Sequence, residues 1–79
     1  MSVTKPENLA EIPAGVHFMI CELNCSPEAG QRLRELGFGE NVIVRTIVNA
    51  STQLICEIHN TRIGMQRSLA KNILVSPIR

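Results

Sequence analysis

Apolar and polar positions alternate unevenly along the chain, and only one stretch has a helical rhythm. Ala29, Leu33 and Leu36 recur at helical spacing within Ser26-Pro27-Glu28-Ala29-Gly30-Gln31-Arg32-Leu33-Arg34-Glu35-Leu36-Gly37, which predicts one amphipathic helix over residues 26–36. Its ends are marked. Ser26 can accept from a free N–H of the first turn, Pro27 suits the first helical position, and Glu28 meets the positive end of the helix dipole. Gly37 supplies the left-handed residue that stops the helix. The expected division of labour plugs one end of the core with Ala29, Leu33 and Leu36. Arg32, Arg34 and Glu35 stay in solvent, with Glu28 and Arg32 paired at i,i+4.

The rest reads as strands. Residues 1–12 are a poorly patterned lead-in, with Leu9 and Ile12 as candidate core residues, and Pro13-Ala14-Gly15 is a turn. Val16 to Leu23 is a mixed apolar run, as expected of a strand partly covered on both faces. Phe38 to Asn41 is a turn. Val42 to Val48 is dense in β-branched residues, Asn49 to Thr52 is a polar loop, and Gln53 to His59 is the return strand of a hairpin. Asn60-Thr61 is read as a tight turn and Arg62 to Arg67 as a further strand, with a bulge or bend at Gly64. Residues 68–72 form one helical turn, and Ile73 to Pro77 a closing strand. About five strands with one helix predict a mainly β fold, a small, partly open SH3-like barrel occupying residues 1–79 as one domain.

Composition narrows the function classes. The 79 residues carry eight Lys plus Arg against seven Asp plus Glu, a net charge of +1. Balanced charge argues against nucleic-acid binding, which needs concentrated Lys and Arg. Two Phe, with no Trp or Tyr, provide no base-stacking platform. No apolar run is long enough to span a bilayer, the first residues lack an apolar signal core, and three cysteines do not make a disulfide framework. The expectation is a soluble cytoplasmic protein.

Candidate chemistry is sparse. Cys21, Cys25, Cys56 and His59 are the residue types that would hold Zn2+ or Fe2+. Cys56 and His59, however, lie three apart in a predicted strand and so face opposite sides. Buried thiols filling the core are the simpler reading, with no cofactor. Cys25, next to a helix N-terminus, is the candidate reactive thiol. No Ser/His/Asp order, carboxylate pair or phosphate loop is present, so no enzyme activity is expected. Arg32, Arg34, Glu35, Arg62 and Arg67, with Lys71, are candidates for a partner-binding face, since Arg pairs well with carboxylates at interfaces.

The order of these pieces resembles the FeoA family, small cytoplasmic proteins associated with bacterial ferrous-iron uptake. The resemblance rests on Arg32-Leu33-Arg34-Glu35-Leu36-Gly37-Phe38, on Val42-Ile43-Val44 at the family's distance, and on Ile63 to Arg67 followed by Ala70 and Ile73-Leu74-Val75. One departure is Glu40-Asn41 where the family has Pro-Gly; Asn tolerates positive φ, so the turn can persist. The resemblance implies a non-enzymatic interaction module whose partner is the cytoplasmic domain of the FeoB-type membrane transporter. It reaches the membrane only through that partner, and a weak homo-oligomer is a further expectation. Two alternatives remain: direct metal binding as a chaperone or sensor, and a GTPase-activating role using an arginine finger. Iron-dependent repressors of the diphtheria toxin repressor type carry a similar domain. The expectation sets that identity aside, since 79 residues leave no room for their DNA-binding part.

Overall fold

The computed structural model describes residues 7–78; the first six residues of the lead-in lie outside them. Six strands form one antiparallel sheet: β1 (Glu7–Asn8), β2 (His17–Leu23), β3 (Ile43–Asn49), β4 (Gln53–Ile58), β5 (Thr61–Gln66) and β6 (Ile73–Pro77). Two helices interrupt them, α1 (Pro27–Glu35) and the single turn α2 (Arg67–Ala70). The spatial order is β1-β6-β2-β3-β4-β5, and the two end strands do not pair among the described residues. The sheet curls around its core as an SH3-like fold without closing. It has one strand more than expected, because β1 and the 3-10 turn Leu9–Glu11 emerge from the supposedly unpatterned lead-in. Leu9, Ala10 and Ile12 are fully buried there.

The core is aliphatic, with Phe38 its largest fully buried side chain. Alternation is cleanest in β4, where Leu54, Cys56 and Ile58 point inward. Burial pushes the Cys56 thiol above its ordinary pKa, partly offset by the Thr46 hydroxyl 3.9 Å away.

Bulges fall elsewhere than expected. Gly64 pairs in regular register with Ile55. The register shifts are in β2 between Ile20 and Glu22, and in β3 between Thr46 and Val48. At the second, Ile47 is the extra residue, so Val48 turns outward and Asn49 shares the face of buried Leu54. The β4–β5 turn is His59-Asn60, one residue earlier than expected. Both have positive φ (51° and 68°), the signature of a two-residue primed hairpin turn. His59 is therefore a turn residue, not a strand residue.

Placing Asn49 inward creates the main polar joint. Its amide donates to Ala10 O and Ile12 O, both at 3.1 Å. The Arg67 guanidinium donates to Asn49 Oδ1, to Ala10 O at 2.8 Å and to Ala50 O at 3.2 Å, with Glu11 3.6 Å away. Arg67, expected on a docking face, is instead a half-buried clamp between the 3-10 turn, the β3–β4 loop and α2.

Two outcomes test these contacts. Arg67→Ala strips buried carbonyls of a charged donor and should cost about 2 kcal/mol of unfolding free energy in a urea titration; an unchanged midpoint contradicts the clamp. For Cys56, the folded thiol titrates above the unfolded one, near pH 8.5. Its contribution is full below the unfolded value and is lost as pH rises through the folded one. Melting temperature should therefore fall above about pH 8.5, and Cys56→Ala should flatten that alkaline limb.

Candidate functional site

Helix α1 is set by its ends more than by its packing. Ser26 Oγ accepts from Ala29 N–H at 3.2 Å. At the other end Phe38 N–H reaches Leu33 O at 2.8 Å and Gly37 N–H reaches Arg34 O at 3.0 Å. With Gly37 at φ 102° this is a complete Schellman stop, and Phe38 and Leu33 supply its apolar contact. The chain then turns through Asn41 at φ 69°. Asn41 thus takes a left-handed position, which asparagine tolerates.

Between these fixed ends, α1 buries only Gly30 and Leu33. Leu36, expected to help plug the core, is 49% exposed at the C-cap. The consequence is a groove of about 540 Å³ between α1 and β5. Its floor and walls are Ala29, Leu33, Leu36, Ile63, Met65 and Leu69, and Glu28 and Arg32 stand at its mouth. Neither of those charges is paired: the expected Glu28–Arg32 bridge does not form among the described residues. An apolar trough with two free, opposite charges at its rim suits an apolar side chain on a polar segment better than any reacting group.

The other candidates are scattered. Arg34 is exposed but bound to Glu40, with Oε2 at 2.8 Å and Oε1 at 3.3 Å from its guanidinium. That contact raises the Arg34 pKa and holds the Glu40 carboxyl below the usual carboxylate range. Glu40 therefore ties the turn to the end of α1. Glu35 is exposed beside Gln31, and Arg62 is exposed 3.9 Å from Glu57, which Arg45 holds at 2.7 Å. Cys21 sits at the β2 bulge with its thiol 3.2 Å from Ser76 Oγ. Cys25 is half-buried before the N-cap, Cys56 is in the core, and His17 and His59 are exposed. No three Cys, His, Asp or Glu side chains converge to hold a metal ion among the described residues. The groove is not evident from the sequence because the apolar stripe places Leu36 in the core, and Ile63 and Leu69 have no role there beyond their elements. The available signal was the narrowness of the α1 stripe.

Comparison with known proteins fits this geometry. Among solved structures, the FeoA protein from Chlorobium tepidum superposes with a TM-score of 0.84 at 20% identity, covering 91% of this chain and 70% of that one. An iron uptake regulatory protein (FeoA) gives 0.84 at 16%, covering 91% and 97%. A manganese-dependent transcriptional repressor gives 0.85 at 11%, with 98% of this chain matching 39% of that one. These likenesses show a shared fold. None of the curated proteins is significantly similar in sequence. The FeoA domain matches residues 7–77, nearly the whole chain, and the chain belongs to the FeoA family.

Proposed function

We propose that this chain is a non-enzymatic, cytoplasmic accessory protein of ferrous-iron uptake that docks on the cytoplasmic domain of a FeoB-type transporter. Family membership supports the link to iron uptake. The observation that carries the docking reading is the groove between α1 and β5, with Leu36 half-exposed above it and Glu28 and Arg32 uncommitted at its rim. An apolar side chain of the partner would enter the trough and displace water, while the rim charges fix its orientation. Glu35, exposed one turn on from Arg32, extends the contact. Arg34 and Arg62 join it at the cost of loosening from Glu40 and Glu57. Arg67 is half-buried and committed to Ala10 and Asn49, and it does not line the groove. No helix among the described residues is long and apolar enough to cross a membrane.

Calorimetric titration against the transporter's cytoplasmic domain is the test. Saturable binding is expected, and Leu36→Asp should weaken it roughly tenfold or more, as truncating an interface anchor does. Because Leu36 is already half-exposed, the variant should melt like the parent. Absence of saturable binding both with and without GTP would sink the reading.

A further inference from the structure

The two edges of the sheet are unlike. One is β1, of which Glu7 and Asn8 are described, beside β6, which ends on Pro77. The other is β5, six residues with no proline and no register shift against β4. Residues flanking a two-residue hairpin turn form a hydrogen-bonded pair, so Thr61, Ile63 and Met65 aim their backbone groups at β4. Arg67 N–H to Thr52 O, 2.9 Å, continues that odd-numbered set one step further. The N–H and C=O groups of Arg62, Gly64 and Gln66 therefore point away from the sheet. All three residues are exposed, and no strand pairs with them among the described residues.

We propose that β5 is a self-association edge, pairing antiparallel with β5 of a second copy about a two-fold axis through Gly64. An axis through Ile63 or Met65 would bond only two outward residues of each strand, Arg62 with Gly64 or Gly64 with Gln66, whereas one through Gly64 bonds all three. An axis through Arg62 would set two guanidinium groups directly opposite each other and carry Gly64 onto Asn60 in the turn. One through Gln66 would carry Gly64 onto Ser68, which is helical. An axis through Gly64 uses the whole strand. It sets Arg62 opposite Gln66 of the second copy and Ile63 opposite Met65, so no like charges meet. Ile63 and Met65 form the non-hydrogen-bonded pairs on either side of the axis, on the groove side, and Gly64 places no side chain over the axis itself. The strand is complementary to itself, which selects a second copy as its occupant. A contact this small gives a weak, concentration-dependent dimer. Gly64 also lines the α1–β5 groove, so a second copy at this edge and a partner in the groove would compete; because association is measured on this chain alone, its failure leaves the transporter reading untouched.

Sedimentation equilibrium of the full chain from micromolar to millimolar concentration should show reversible monomer–dimer exchange. Gly64→Pro deletes an outward N–H without touching the β4 ladder, and should weaken the dimer roughly tenfold. A Cβ at position 64 meets only Gln53 Nε2 at 3.8 Å and Leu54 O at 3.9 Å, so side chains are accommodated there. Gly64→Glu and Gly64→Lys each set like charges across the axis, so each alone should associate less than the parent. Mixing the two should restore a heterodimer, and thermal melts confirm that each variant folds. A parent chain that stays monomeric at millimolar concentration overturns the proposal. Parent-strength association in Gly64→Pro does so as well, and so does a Glu/Lys mixture that associates no better than its components.

Discussion

The contact on which most of this fold depends is the guanidinium of Arg67 against the carbonyl of Ala10. Leu9, Ala10 and Ile12 are buried in and just after a 3-10 turn, where the Ala10 and Ile12 carbonyls take their donors from side chains. Burying such groups unpaired would offset much of what the apolar side chains return. Asn49 and Arg67 remove that cost together, and they do so from two different elements. The bulge at Ile47 makes this possible, because without the extra residue Asn49 would face outward and Val48 inward. A local irregularity in β3 thus decides whether the first described segment of the chain can join the core.

The helix shows the complementary economy. Its termini are fully provided with caps, so α1 can persist with only Gly30 and Leu33 in the interior. A Cβ at Gly30 would lie 3.3 Å from the Arg34 guanidinium and 3.7 Å from the Cys25 thiol, so a side chain there needs only a small shift of exposed Arg34. A helix held by its ends leaves its flank open, and that flank forms one wall of the groove. The Arg34–Glu40 pair reinforces the arrangement from outside. The departure of this chain from the family's turn sequence is therefore absorbed twice, by a charge pair at Glu40 and by a left-handed asparagine at Asn41.

Much of the architecture was legible in the sequence because local rules determined it. Ser26, Pro27 and Gly37 marked a helix that runs within a residue of its expected span, and the β-branched residues of β3 and β4 marked the hairpin. Features set by distant contacts were not legible. β1 is two residues long and has no periodicity to detect. The bulges at Cys21 and Ile47 carry no glycine to announce them, whereas Gly64 advertised a bulge that regular pairing with Ile55 does not need. Arg67 looked like a surface cation because nothing local reveals that Ala10 needs a donor. The groove was missed for the same reason: apolar residues at helical spacing imply a buried face, but not how much of that face another element covers.

The Arg67–Ala10 bond also bears on the order of events as the chain folds. It joins residues 57 apart, and β1 pairs with β6 across nearly the full length described. Closing so long a loop must wait until the intervening chain is largely fixed, since the entropy of closure is recovered only when many contacts form at once. The β3–β4–β5 meander needs no such closure. It can form first and present Asn49 and Arg67 as a ready socket, leaving the N-terminal segment to dock last and, on the way back, to leave first.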